Sequence, residues 1–207
     1  MSNSGPRRRL LTPWLTLAAL LPLAAHAGGY NEGVSGDLSN SGLTPTAVTL
    51  TVGANQVTGT TGNVGGVDRD YFTFTLPAGW RLDAVTVMAG TTTGGSASFI
   101  GVAAGNQVTT VPTAGTAVGL LGWTLYSTEM IGSDLLPQMA VPDLGSTGFT
   151  PPLGAGTYSF WIQETAQGAV NYNFNFAVSA VPEPTSLALW AAGLAGLVAL
   201  QKRRRAA

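Results

Sequence analysis

The sequence predicts an all-β protein: an antiparallel β-sandwich of jelly-roll-like topology, flanked by an N-terminal signal helix and a C-terminal transmembrane helix. Three observations carry that expectation. Short runs between Val48 and Val178 alternate apolar and polar residues with period two. Glycine-marked turns separate the runs, among them Gly65-Gly66, Pro77-Ala78-Gly79, Gly94-Gly95 and Gly154-Ala155-Gly156. No stretch from Gly28 to Ala180 shows the helical period of an amphipathic helix.

The chain opens on Arg7-Arg8-Arg9, then an apolar run from Leu10 to Leu23 broken by Pro13 and Pro22, then Ala25-His26-Ala27. A basic start, a short apolar stretch and a small-x-small site with Ala25 and Ala27 are the parts of a Sec signal peptide, cleaved after Ala27. Residues 1–27 thus read as a signal for the Sec translocon and signal peptidase, and 28–180 as one exported domain.

Within that domain, Gly28 to Gly42 has no clear period, and one short edge strand is expected near Gly33–Leu38. Val48, Leu50 and Val52 alternate with Thr49 and Thr51. Phe72, Phe74 and Leu76 alternate with Tyr71, Thr73 and Thr75. Arg81 to Met88 is apolar on both faces around Val85 and Val87, as a central strand would be. Ser98 to Ala103 is a weaker strand signal. Leu121, Trp123 and Leu125 alternate with Gly122, Thr124 and Tyr126. Tyr158, Phe160 and Ile162 oppose Ser159, Trp161 and Gln163. The cleanest alternation sets Val170, Tyr172, Phe174, Phe176 and Val178 against Asn171, Asn173 and Asn175. Residues 127–153 hold Pro137, Pro142, Pro151 and Pro152, and are expected to form a long surface loop.

Charge and residue types narrow the chemistry. Only Arg69 and Arg81 are basic between Gly28 and Ala180, against nine acids, so the domain carries a net charge of −7. That disfavours nucleic acid and anionic lipid surfaces as partners. The chain has no cysteine, its single His26 precedes the cleavage point, and the domain has no lysine. Ser-His-Asp, Cys-His and Schiff-base catalysis are thereby excluded, as are ordinary zinc sites, and no catalytic residue is assigned. Two residue groups remain. Asp68 and Asp70 lie two apart at a strand start, so their carboxylates share a face, and oxygen ligands of this kind suit Ca²⁺. Asp37 or Asn63 would add a ligand if the fold brought it near. Trp80, Trp123 and Trp161 would stack on sugar rings if exposed, Trp161 first because it opposes the core-facing Phe160 and Ile162.

The last segment, Val181 to Ala207, has three parts in order. Pro182-Glu183-Pro184 is stiff and extended. Thr185 to Leu200 carries no charge. Lys202, Arg203, Arg204 and Arg205 follow, as on a cytoplasmic flank. As a helix the apolar run would span roughly 24 Å at about 1.5 Å per residue, short of a bilayer core of about 30 Å. The segment resembles the PEP-CTERM sorting signal of Gram-negative bacteria. The resemblance implies an exosortase as partner, a transient inner-membrane anchor cut near the motif, and passage to the cell surface or a biofilm and exopolysaccharide matrix.

A second resemblance lies in the body. Asp68-Arg69-Asp70-Tyr71-Phe72, Leu76-Pro77-Ala78-Gly79 and the later Leu153-Gly154-Ala155-Gly156-Thr157-Tyr158 are similar to the core blocks of bacterial pre-peptidase C-terminal domains. It implies a small jelly-roll-like β-sandwich, accessory to secreted enzymes, with calcium or carbohydrate contact in some members. The functional expectation is therefore a non-enzymatic exported protein of the surface or matrix. The alternatives are a carbohydrate-binding module, stabilised by calcium, or a secreted glycan-active enzyme using a carboxylate pair drawn from Asp68, Asp70, Glu129 and Glu164.

Overall fold

The structure is a computed structural model that describes residues 28–181, with Gly193 and Gln201 beyond them. The expected signal peptide with Ala25 and Ala27 lies outside the described residues. So does the sorting segment with Pro182, Glu183, Pro184, Lys202, Arg203, Arg204 and Arg205. Among the described residues, no helix is long and apolar enough to cross a membrane.

The described chain is mostly strand. In order it forms β1 (Gly28–Asn31), α1 (Glu32–Ser35), β2 (Thr46–Ala47), β3 (Gly53–Asn63), β4 (Val67–Leu76) and β5 (Trp80–Val87). Then come β6 (Ser98–Ala104), β7 (Gly122–Tyr126), α2 (Leu136–Met139), β8 (Gly156–Gln163) and β9 (Gly168–Ala180). One layer runs β5-β9-β3, with β1 parallel on the far edge of β3; the other runs β4-β8-β6-β7, with β2 parallel on β4. β3 and β4 pair only at Gly62 with Asp68 and Asn63 with Val67. The chain leaves one layer and enters the other at that point.

Aromatic rings hold the layers together. Phe176 on β9 meets Phe72, Phe74 and Phe160 edge-on, with centroids 5.6, 6.0 and 5.0 Å away. Phe174 meets Tyr126 likewise at 4.9 Å and 83°. Edge-to-face contact sets the positive rim of one ring against the negative face of the other. Burying each such side chain is worth about 1.5–3 kcal/mol. The alternating set predicted for β9, from Val170 to Val178, is buried as expected.

Three local expectations are corrected. Gly33–Leu38 is not an edge strand. Asn31 Oδ1 accepts from the Gly33 N–H at 2.9 Å and starts the single turn α1, and the strand lies just before it as β1. The run Val48–Val52 is not in a strand; the short strand β2 lies just before it at Thr46–Ala47, although Val48 and Leu50 still reach the core. Residues 127–153 form no strand, as expected of a loop, but they do not lie wholly on the surface. Val87 N–H donates to Ser133 O, Leu135 N–H to Val85 O, and Leu82 and Leu153 exchange both backbone bonds. Asp134 Oδ1 accepts from Val85 N–H and Leu136 N–H, both at 2.9 Å. The segment thus covers the free edge of β5, and Leu135, Leu136 and Met139 close the core beneath it. This explains why β5 reads as a central strand while lying last in its sheet.

β3 gives no apolar alternation. Its inward residues are Asn55, Val57, Gly59 and Thr61, mostly small or polar, yet Asn55 and Thr61 are buried. Asn55 Nδ2 donates to Thr51 O, Gly53 O and Phe176 O, which offsets the cost of burying its amide.

Candidate metal centre

The chain crosses from one layer to the other along the edge formed by β3 and β4. β1 lies on β3, and Ser39 bridges to Tyr71 on β4. Between those two anchors the crossing carries Glu32 and Asp37. Under it lies Asp70, which faces inward from β4 in phase with Phe72 and Phe74.

Glu32 is held by three donors. Its Oε1 accepts from Leu38 N–H at 3.1 Å and from the Tyr172 hydroxyl at 3.3 Å; its Oε2 accepts from Thr60 N–H at 2.8 Å. Gly59 makes the room. A Cβ there would lie 2.3 Å from both Glu32 Oε2 and the Tyr172 oxygen. Asp37 is exposed beside it, after Gly36 at φ 93°, a left-handed conformation that glycine adopts without strain.

Asp70 is fully buried, and neither of its carboxylate oxygens finds a hydrogen-bond partner among the described residues. One oxygen from each of Glu32, Asp37 and Asp70 lies within 4.8 Å of the other two. Burial, and next the charge of Glu32, push the Asp70 carboxyl up to about 9. Burial raises the Tyr172 hydroxyl too, followed by the charges of Asp70 and Glu32. Asp68 is also raised, by burial and then by Asp37 and Glu32. An anion this deep without a counter-charge is costly, so it either takes a proton or shares a cation.

The donor set fits a hard cation. All three ligands are carboxylate oxygens, and Ca²⁺ binds oxygen at about 2.3–2.6 Å, which puts opposite ligands about 4.6–5.2 Å apart. Mg²⁺ at about 2.0–2.1 Å would need a tighter, octahedral cage. The cluster opens on a groove of about 560 Å³ whose walls include Thr58, Thr60, Asn171 and Asn173, so a cation held there would keep water on its exposed side.

Of the two aspartates expected as ligands, Asp70 is in the cluster. Asp68 stands beside it without joining the three mutually close oxygens. Asp37, named as a possible addition, joins; Asn63 does not. Glu32 was missed. The only local signal for it is its position after Asn31 in a glycine-rich stretch, and its approach to Asp70 depends on β1 pairing with β3.

The tryptophans sit differently from the expectation. Trp161 does oppose Phe160 and Ile162, but that face is covered rather than wet. It is only 5% exposed, in a second cluster with Tyr71, Ala103, Val108, Ala117 and Leu120. It stacks on Tyr71 at 5.6 Å and 24°. Trp123 is half-buried and donates from Nε1 to Asp143 O at 3.2 Å. Trp80 packs against the main core at the start of β5. Of the carboxylates named for a glycosidase pair, Glu164 receives four donors: Gly94 N–H, the Ser98 hydroxyl, Thr165 N–H and Ala166 N–H. Burial alone would raise its carboxyl, but these donors, led by Ala166, hold it below its usual value. Glu129 lies in the short 3-10 turn Thr128–Met130.

No curated protein and no solved structure is matched by the chain. One family model is matched, the PEP-CTERM protein-sorting motif, over residues 180–205. The chain therefore carries a PEP-CTERM sorting motif, which marks it as an exported protein handled by an exosortase through a membrane-anchored sorting step.

Proposed function

We propose that the exported domain is a non-catalytic β-sandwich of the cell surface or exopolysaccharide matrix of a Gram-negative bacterium, its open edge closed by a calcium ion. The Sec translocon and signal peptidase process one end, and exosortase cleavage releases the other from the inner membrane. The observation that supports the calcium reading is Asp70: buried, without a hydrogen-bond partner among the described residues, and within 4.8 Å of two further carboxylates. Outside the cell, Ca²⁺ sites with Kd on the order of 10⁻⁴–10⁻³ M are filled, so the ion can report arrival in that compartment.

Calorimetric titration of the EDTA-stripped protein with Ca²⁺ tests the site. Saturable binding near that range, lost in Asp70→Asn, supports it; absence of binding removes it. Intact mass of the protein recovered from the cell surface tests the processing. Loss of residues 1–27 and of the segment after the Pro-Glu-Pro motif is expected in an exosortase-positive strain, and retention of the C-terminal segment in a strain lacking the enzyme. Extraction of the protein with matrix polysaccharide, rather than with membranes, tests the location.

A further inference from the structure

The outer face of the second sheet holds a cavity unrelated to the calcium centre. Strand register sets Trp123, Gly101, Trp161 and Tyr71 in one row across β7, β6, β8 and β4. Gly101 leaves a gap between the two tryptophans, and the Phe99 ring leans over it. A Cβ on Gly101 would lie 2.9 Å from Phe99 Cζ and 3.1 Å from Leu120 Cδ1. Phe99 stacks on Trp123 at 5.8 Å and 21°, and meets Trp161 at 4.6 Å and 54°. The segment between β6 and β7 folds back over these rings, tied down by Ala117 N–H to Leu144 O and Leu121 N–H to Val102 O. Ala117, Leu120 and Gln163 join the aromatic residues around a cavity of about 180 Å³.

Size and chemistry together choose an occupant. An apolar cavity of about 150 Å³ holds one benzene ring, so this one takes a single six-membered ring. Its walls offer aromatic faces, which suit the C–H face of a sugar. The indole N–H of Trp161 is buried and has no acceptor among the described residues. A buried donor of this kind gains from an acceptor, which a hydroxyl or ring oxygen supplies and a hydrocarbon does not. Gln163 turns its Oε1 to Arg69 Nε at 2.6 Å, which leaves its amide NH₂ as a second donor. The net charge of −7 favours a neutral ring over an acidic one.

We infer that this cavity binds one neutral pyranose ring, with Phe99, Trp123 and Trp161 around it and Trp161 Nε1 as donor. The test titrates the full-length chain in detergent with the methyl glycosides of glucose, galactose, mannose and rhamnose. Tryptophan fluorescence and saturation-transfer NMR are the readouts. At least one glycoside is expected to bind saturably with Kd of about 1 mM, as befits a ligand of about a dozen heavy atoms. Trp123→Ala should weaken binding about tenfold. Ala117→Phe, which fills the cavity and removes no wall, should abolish it while the melting temperature holds. Binding that survives EDTA and Asp70→Asn separates this site from the calcium centre. The inference is overturned if none of the four glycosides binds saturably, if Ala117→Phe leaves binding intact, or if a proline-rich peptide occupies the cavity where the glycosides do not.

Discussion

Glu32 and Asp70 bring carboxylate oxygens within 4.8 Å of each other, and neither forms an ion pair among the described residues. They lie on opposite layers: Glu32 continues from β1 beside β3, and Asp70 stands on β4. Like charges so placed push the edge of the sandwich open unless a proton or a cation intervenes. Four expectations follow from this edge and from the segment that closes the opposite one.

Calcium should stabilise the protein by mass action. At an ion concentration about 100 times Kd the gain is about 2.7 kcal/mol. A scanning-calorimetry experiment should therefore show a melting temperature several degrees higher with Ca²⁺ than with EDTA. Asp70→Asn keeps the side-chain size and removes the charge. It should erase the difference between the two conditions without lowering the metal-free melting temperature. An undiminished calcium response in that variant would sink the assignment.

In EDTA, stability should fall as pH rises. The folded Asp70 carboxyl is raised to about 9, from an ordinary value of 3.8. Between those values the folded state binds more protons than the unfolded one, so raising pH favours unfolding. The favourable contribution is complete below the unfolded value and is lost by the time pH passes the folded one. The slope is at most about 1.4 kcal/mol per pH unit. Urea midpoints of the metal-free protein from pH 5 to pH 9 should show the decline, and Asp70→Asn should flatten it.

Gly59→Ala should harm both stability and metal binding. The new methyl group would overlap the Glu32 carboxylate and the Tyr172 hydroxyl. Overpacking of this kind costs about 1–3 kcal/mol. The informative readout is calcium affinity, which should weaken because Glu32 must move. A variant that is merely less stable and binds calcium as before would show that Glu32 is no ligand.

Leu136→Ala tests the segment 127–153. Leu136 is fully buried in the main core, so its truncation should cost about 2–5 kcal/mol. Substituting Val141, which is exposed in the same segment, should cost less than about 0.5 kcal/mol. Equal, small effects at both positions, read from chemical denaturation, would mean that the segment is loose after all.

Much of the fold is legible in the sequence alone. Period-two alternation marked β9, β8 and most of β4 because their inward sets are large and apolar, and burial then has one solution. The Pro-Glu-Pro motif, the apolar run and the basic cluster identified the sorting signal, since those parts act locally and need no folded partner. β3 escaped notice because it faces inward with Asn55, Gly59 and Thr61. Asn55 is held inside by its hydrogen bonds and Gly59 makes room for the Tyr172 hydroxyl, and neither leaves a hydrophobic signature in sequence. Residues 127–153 read as a loop for a related reason: their pairing is with β5, and an isolated edge bond has no periodicity of its own.

The sequence by itself determined the fold class, the acidity of the exported domain and its sorting route, since these depend on composition, local pattern and a short linear motif. Tertiary structure decided the chemistry. Glu32, Asp37 and Asp70 converge because β1 adds in parallel to β3 and Ser39 bridges to Tyr71, contacts between residues far apart along the chain. The same is true of the tryptophans, whose outward face became a cavity once the segment between β6 and β7 folded over it. The Asp68/Asp70 pair is legible in the sequence as a candidate ligand set, but which carboxylates stand near Asp70 was fixed by which strands met, and strand pairing is settled only when the whole core closes.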